Sequence, residues 1–289
     1  MIDKEPYGHG ELKWVSTDWL EDHMDEVKVV DTQPDVHDYF TAHIPGAVYL
    51  AGKTFRAPLN GLPAQYVTPR HIEGLFGRIG LSEDTPVVVY TGKGRHKGWG
   101  DGLGQPMMAY TLLRHGAKEV YLLDGGIDKW IDEGKEISQE FPDVVADVFE
   151  AEVNEDVYIT LDEVKEQKDK DDVILLDARP PKFYTGEESP WIKDGHIPGA
   201  VNLPWSMLMT DDNKTELKSL EEIKSLAEEV GATKDKLIIC SCGTGREATA
   251  EYTIFKHLLG YPKVKLFEGS FTEWSADPSR EIVKGKDPY

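Results

Sequence analysis

The chain holds two thiols, Cys240 and Cys242, two residues apart in 289 residues. They lie in Lys236-Leu237-Ile238-Ile239-Cys240-Ser241-Cys242-Gly243-Thr244-Gly245-Arg246-Glu247, which reads as an apolar strand, a glycine-rich loop and the start of a helix. A cysteine at the carboxyl end of a parallel strand stands where α/β sheets place ligands. Gly243 and Gly245 let the backbone curl so that successive N–H groups point inward as an anion-binding nest. The positive end of the following helix and the charge of Arg246 act in the same sense. All three favour thiolate over thiol, the form in which cysteine is a nucleophile. The plain alternative is a buried cysteine beside an ordinary glycine turn, which Cys-Gly-x-Gly alone does not exclude.

Which thiol heads the loop follows from an internal repeat. His43-Ile44-Pro45-Gly46-Ala47-Val48 recurs as His196-Ile197-Pro198-Gly199-Ala200-Val201. Mainly apolar runs ending in aspartate precede each copy, Val27 to Asp31 and Val173 to Asp177. Ile72, Leu75, Ile79 and Gly80 match Ile223, Leu226, Val230 and Gly231, and Asp124-Gly125-Gly126 with Trp130 matches Glu268-Gly269-Ser270 with Trp274. Counted from Gly80 and Gly231, Val89 corresponds to Cys240 and Thr91 to Cys242. Cys240 is thus a strand residue suited to core packing, and Cys242 opens the loop. The repeated His-Ile-Pro-Gly-Ala is read as a turn, because it occurs in both halves while the loop cysteine occurs in one.

Each copy alternates short branched-apolar runs, such as Val87 to Tyr90 and Leu237 to Ile239, with helical-period segments. Tyr252, Phe255 and Leu259 share a helix face, with Gly260 as its stop. The fold class is therefore α/β, two tandem domains, each a mostly parallel sheet flanked by helices. The expected boundaries are 1–138, a connection over 139–152, and 153–289. A formal net charge of -21 argues against nucleic acid and anionic membranes as partners. Two cysteines so close make no disulfide framework, so a reducing cytoplasm is expected. The first residues lack the pattern of a signal peptide, and no run is long enough to span a bilayer.

The chain resembles the tandem-domain rhodanese family of sulfurtransferases. The matching residues are Asp177-Ala178-Arg179 leading to Gly195-His196-Ile197-Pro198-Gly199-Ala200, then Cys242-Gly243-Thr244-Gly245-Arg246-Glu247, His257-Leu258-Leu259-Gly260-Tyr261-Pro262 and Gly269-Ser270-Phe271-Thr272-Glu273-Trp274. The resemblance implies two similar α/β domains, with the cysteine only in the second. A small anionic donor, thiosulfate or 3-mercaptopyruvate, would give its sulfane sulfur to Cys242, and the persulfide would pass it to cyanide, a small thiol or thioredoxin. Gly243, Thr244, Gly245, Arg246 and Glu247 match the cradle around thiolate and persulfide. No metal or organic cofactor is implied, and a monomer is expected.

The departures bear on the donor. Thiosulfate users carry basic residues just after the cysteine, where this chain has Gly243 and Thr244. The Cys-Gly-Ser-Gly of mercaptopyruvate users resembles Cys242 to Gly245 but continues differently from Arg246-Glu247. An inward Glu247 would raise the thiol pKa and repel a dianion; an outward one would only complement the helix end. Where relatives carry a donor-binding arginine this chain has Phe183, with Lys182 its neighbouring substitute. Thr91 cannot carry a persulfide, so the first domain fits a shielding role, and Lys93, Arg95 and Lys97 of its long loop, Gly92 to Gln105, would attract an anion. Two further readings stay open: a non-catalytic sulfur carrier, and a phosphatase using Cys240 in a Cys-x5-Arg motif ending at Arg246.

Overall fold

The computed structural model describes residues 5–94 and 102–289. The chain divides into two compact units. One takes the chain through Phe55, then Tyr66–Asn154 and Met209–Leu217; the other takes Arg56–Gln65, Glu155–Leu208 and Lys218–Tyr289. Each unit thus includes a short segment that lies, in sequence, within the other half.

The first unit is built on a six-stranded sheet in the order Tyr7–His9, Leu12–Val15, Val120–Leu123, Val87–Tyr90, Lys28–Asp31, Val48–Tyr49. Only the pairing of Tyr7–His9 with Leu12–Val15 is antiparallel. The second unit has five strands, all paired in parallel, in the order Ala200–Asn202, Val173–Asp177, Leu237–Ser241, Val264–Phe267, Tyr158–Ile159. Apart from the extra edge strand the two orders are the same, so the sequence repeat is a fold repeat. Val87–Tyr90 is buried along its whole length, as expected of a strand covered on both faces. The single polar interruption, Lys28, is half-buried at the start of its strand.

The repeated elements end where the sequence places glycine. The helices Pro69–Arg78 and Leu220–Glu229 are followed by Gly80 and Gly231 at φ 76° and 72°. The helix Ala248–Thr253 behind the cysteine loop continues as a π-turn, Ile254–Leu258, and stops at Gly260, φ 66°. Trp130 and Trp274 are buried alike, and each indole N–H donates to a carbonyl beyond its helix, Glu136 O at 2.7 Å and Glu281 O at 3.0 Å.

The two histidines are structural, as the turn reading holds. His43 pairs its backbone with Ser138, and its ring nitrogens lie 2.8 Å from Tyr39 O and 3.0 Å from Glu140 O. His196 repeats this with Val283, Tyr184 O at 2.9 Å and Asp287 O at 3.2 Å. Each ring is fully buried and ties down the segment trailing its own domain. No helix among the described residues is long and apolar enough to cross a membrane.

Candidate active site

The register of the cysteine strand separates the two thiols. Cys240 lies inside the sheet, paired with Leu176 on one side and Leu266 on the other. It is fully buried, and burial, with Glu251 nearby, pushes its thiol well up. A residue paired within the sheet on both sides does not head a loop, which argues against the Cys-x5-Arg reading. Ser241 closes the strand, its hydroxyl donating to Leu176 O at 2.7 Å. Cys242 is the first residue beyond.

The backbone on either side of Cys242 is fixed by the segment after the next strand. Its amide donates to Ser270 Oγ at 3.0 Å, and its carbonyl accepts from Phe271 N at 3.0 Å. The first unit repeats the second of these bonds, with Thr91 O accepting from Ile127 N at 3.0 Å. Thr91 therefore stands where Cys242 stands, and its hydroxyl donates to Thr32 O at 3.0 Å.

The nest forms. Gly245 N–H donates to Cys242 Sγ at 3.1 Å, and the backbone of Ala248 and Thr244 works in the same sense, favouring charge on the sulfur. Gly245 has to be glycine: its φ is 78°, and a Cβ would lie 2.4 Å from Glu268 O. The features that favour thiolate meet two that oppose it. The sulfur is completely buried, and that desolvation, followed by the charge of Glu247, pushes the thiol up to about 12. The N–H dipoles oppose these effects without overcoming them, so the resting group is a thiol.

Glu247 is the inward carboxylate. Burial raises its own pKa, and its charge pushes the Cys242 thiol up. Arg246 is exposed; its charge acts on Glu247. Gly243 is buried beneath the indole of Trp191, and Thr272 braces the loop, its amide and hydroxyl donating to Gly243 O at 2.9 and 2.8 Å. Thr244, partly exposed, turns its carbonyl to Arg56.

The remaining expected residues divide. Asp177 and Arg179 form a fully buried ion pair: Nε donates to Oδ1 at 2.9 Å and Nη2 to Oδ2 at 2.6 Å. The guanidinium also donates to Gly195 O and lies over the rings of Trp191 and Phe271, at 5.1 and 4.2 Å from their centroids, so it braces the fold. Gln33 does this work in the first unit, donating to Asp31 and to Ala42 O. Lys182 is half exposed and paired with Glu188 at 2.8 Å. No hydrogen bond or ion pair given by the described residues joins it to the cysteine loop. Lys93 is exposed, with its backbone N–H on Asp128; Arg95 and Lys97 lie outside the described residues.

Four residues of the site escaped the sequence. Ser270 has φ 49°, in the left-handed region, where the repeat has Gly126 at 56°. Its hydroxyl donates to Phe267 O at 2.8 Å while accepting from Cys242 N, and Oγ lies 4.0 Å from Sγ. The glycine-to-serine mismatch within the repeat was its only signal. Arg56, on the two-stranded segment Arg56–Leu59 with Leu62–Tyr66, donates from Nη1 to Thr244 O at 2.8 Å and to Ala64 O at 2.7 Å. It lies 188 residues away in sequence, and no pattern announces it. Trp191 donates from its indole N–H to Thr272 Oγ1 at 2.8 Å. Glu251, one helical turn beyond Glu247, is fully buried with neither carboxyl oxygen hydrogen-bonded. Burial first, then Asp177 and Glu247, push its pKa well up.

The profile of the Rhodanese-like domain matches residues 16–133 and again 160–277. The chain is 32% identical to the sulfur carrier protein TtuD of Thermus thermophilus, across 97% of this chain and 99% of that one. It is 32% identical to a thiosulfate sulfurtransferase of Azotobacter vinelandii, over 84% and 86% of the two chains. It is 28% identical to 3-mercaptopyruvate sulfurtransferase of Escherichia coli, over 91% and 95%. Among solved structures, the anaerobic ergothioneine biosynthesis enzyme from Chlorobium limicola superposes with a TM-score of 0.84 at 21% identity, covering 94% of this chain and 70% of its own, which is a likeness of fold. With both matches falling on the duplicated α/β units, and the loop cysteine in the second alone, the chain belongs to the rhodanese family of sulfurtransferases, in its two-domain form.

Proposed function

We propose that this enzyme moves a sulfane sulfur from thiosulfate or 3-mercaptopyruvate to a thiophilic acceptor through a persulfide on Cys242. The observation that carries the reading is the Gly245 N–H, held 3.1 Å from Cys242 Sγ by a loop that only glycine can follow there. Donors so placed stabilise negative charge on Sγ as it attacks, and on the outer sulfur of the product, with no reorganisation. Gly243 to Glu247 form the donor's cradle, and a small thiol, cyanide or thioredoxin is the acceptor. Two free cysteines support a reducing compartment, and the net charge of -21 supports the absence of nucleic-acid and membrane partners.

Intact-mass measurement after mixing with each donor tests this. One added sulfur is expected, retained in Cys240→Ser and absent in Cys242→Ser; no gain with any sulfane donor sinks the proposal. A second reading, that the chain holds its persulfide for delivery to a protein, has its own support: the complete burial of Cys242 and the relative named as a sulfur carrier. It predicts the same mass gain, with a persulfide that cyanide and small thiols fail to discharge.

A further inference from the structure

Resting on the persulfide reading, we infer that Arg56 is a positioning residue of the site. Its guanidinium acts on Cys242 through one peptide unit, Thr244–Gly245, and strengthens the amide that stabilises charge on the sulfur. The two ends of that unit meet the two partners. Arg56 Nη1 donates to Thr244 O at 2.8 Å, and Gly245 N–H donates to Cys242 Sγ at 3.1 Å. A hydrogen bond to an amide oxygen favours the dipolar resonance form, which puts more positive charge on the N–H across the C–N bond. Here the donor carries a full charge, so the polarisation exceeds what a neutral donor gives.

Both ends of this relay are fixed. Nη1 donates a second time, to Ala64 O at 2.7 Å, on the strand that partners Arg56–Leu59. Nε and Nη2 are buried, where a charge is felt more strongly than in water. Nη2 lies 3.3 Å from where a Cβ on residue 245 would stand, and Glu268 O lies 2.4 Å from the same point. These close neighbours keep the peptide from turning its N–H off the sulfur. Cys242 needs the help, since its burial and the charge of Glu247 both oppose its ionisation.

The repeat assigns the cation to the unit that holds the thiol. Each half has a short 3₁₀ turn after an edge strand, Gly52–Phe55 after Val48–Tyr49 and Trp205–Leu208 after Ala200–Asn202. The segment that follows begins with Arg56 in the first case and with Met209 in the second. The segment from Arg56 belongs to the unit of Cys242, and the segment from Met209 to the unit of Thr91. A charged side chain thus accompanies the residue that must ionise, and an uncharged one accompanies the residue that never does.

The test compares Arg56→Gln and Arg56→Lys in the full chain with Cys240→Ser, so that one thiol reports. Glutamine offers Thr244 O a neutral N–H, whereas lysine keeps the charge. Losing the charge is expected to raise the thiol pKa by about one unit, the low end for a nearby charge because it acts through a peptide. Alkylation of Cys242 by iodoacetamide at pH 8 then slows by about threefold in Arg56→Gln. The roughly tenfold loss of thiolate is partly offset by the greater nucleophilicity of a more basic sulfur. Arg56→Lys recovers most of the rate. A brace with no electrostatic effect predicts the opposite sign, because its loss loosens the loop over a buried sulfur and speeds alkylation. The kcat/KM values for thiosulfate and 3-mercaptopyruvate should fall together in Arg56→Gln, by about tenfold, since the amide acts on the attacking sulfur rather than on the leaving group. Alkylation that is unchanged or faster in Arg56→Gln, or a lysine variant as slow as the glutamine one, overturns the inference. If no donor adds sulfur to the wild type, the persulfide reading fails, and the alkylation rates still decide whether Arg56 acts on the thiol.

Discussion

Trp191 lies on Gly243 so closely that the loop has room for no side chain there, and Gly243→Ala measures how firmly the indole is held. A Cβ at residue 243 would fall 2.2 Å from Cζ2 and 2.8 Å from Cη2 of Trp191. Ordinary carbon contacts are about 3.5–4.0 Å, so the ring must retreat by roughly 1.5 Å. It is pinned by its N–H bond to Thr272 and by edge contacts to Phe183 and Phe271, at centroid separations of 5.8 and 5.7 Å. Gly243 is not among the glycines with positive φ, so alanine meets no backbone strain and the whole cost is steric. Overpacking typically costs about 1–3 kcal/mol, and loss of the indole hydrogen bond about 1 more, so Gly243→Ala is expected to destabilise by about 2–4 kcal/mol. With Trp191→Ala already present the clash is gone, and the same change should cost under about 1 kcal/mol. A denaturant double-mutant cycle on the full chain then gives a coupling of about 2 kcal/mol. Equal costs of Gly243→Ala with and without Trp191 would falsify the placement of the indole over the loop.

Further outcomes follow from the same coordinates. Ser270→Ala keeps the left-handed backbone but loses the hydroxyl that holds the Cys242 amide; stopped-flow persulfide formation should slow by tenfold or more. Ser270→Gly loses the hydroxyl without the strain, so it should be about 1 kcal/mol more stable than Ser270→Ala by thermal unfolding and just as slow. Equal melting points would show that the position is unstrained. Arg56→Ala removes the guanidinium from Thr244 O and should raise the donor KM about tenfold with a smaller change in kcat; a pure kcat loss would refute a binding role. Burial raises the Asp31 carboxyl from 3.8 to about 6. The folded state then holds a proton that the unfolded state releases from about pH 4 upward. Stability should therefore fall as pH rises through that window, by about 3 kcal/mol for two units. Asp31→Asn removes this contribution, and parallel stability–pH curves for variant and wild type would contradict it.

Much of the fold was legible because the chain states it twice. The apolar runs before Asp31 and Asp177, the Gly80 and Gly231 stops and the two tryptophans identify strands, helix ends and core without reference to distant residues. The register that separated Cys240 from Cys242 came from the same redundancy, and the Thr91–Ile127 and Cys242–Phe271 hydrogen bonds follow it. What stayed hidden depends on contacts between sequence-remote segments. Arg56 meets Thr244, and Trp191 meets Gly243, through tertiary placement that no local period encodes. The balance at Cys242 stayed open for a related reason. Glycines, helix end and arginine all appear in the sequence as charge-stabilising features, whereas the depth of burial that outweighs them is a property of the folded unit. Glu247 was visible as an irregularity, yet a residue at a helix start has two directions to point, and only the folded loop selects one.

The two units also serve as each other's control, and three of their differences cluster in one place. The sheets share an order, the histidines share their carbonyl partners, and the tryptophans share a hydrogen bond. Around the end of the central strand, however, Thr91 gives way to Cys242, Gly126 to Ser270 and Gln33 to Arg179. The last two changes serve the first. Serine accepts left-handed strain that glycine avoids, and in return its hydroxyl fixes the amide of the reactive residue. Arginine supplies Asp177 with a countercharge, whereas burial raises the Asp31 carboxyl and the hydrogen bonds from Tyr90 and Gln33 only partly oppose it. A third uncompensated carboxyl beside Glu247 and Glu251 would add to the negative charge that opposes ionisation of Cys242. The buried Asp177–Arg179 pair offsets that charge where it arises.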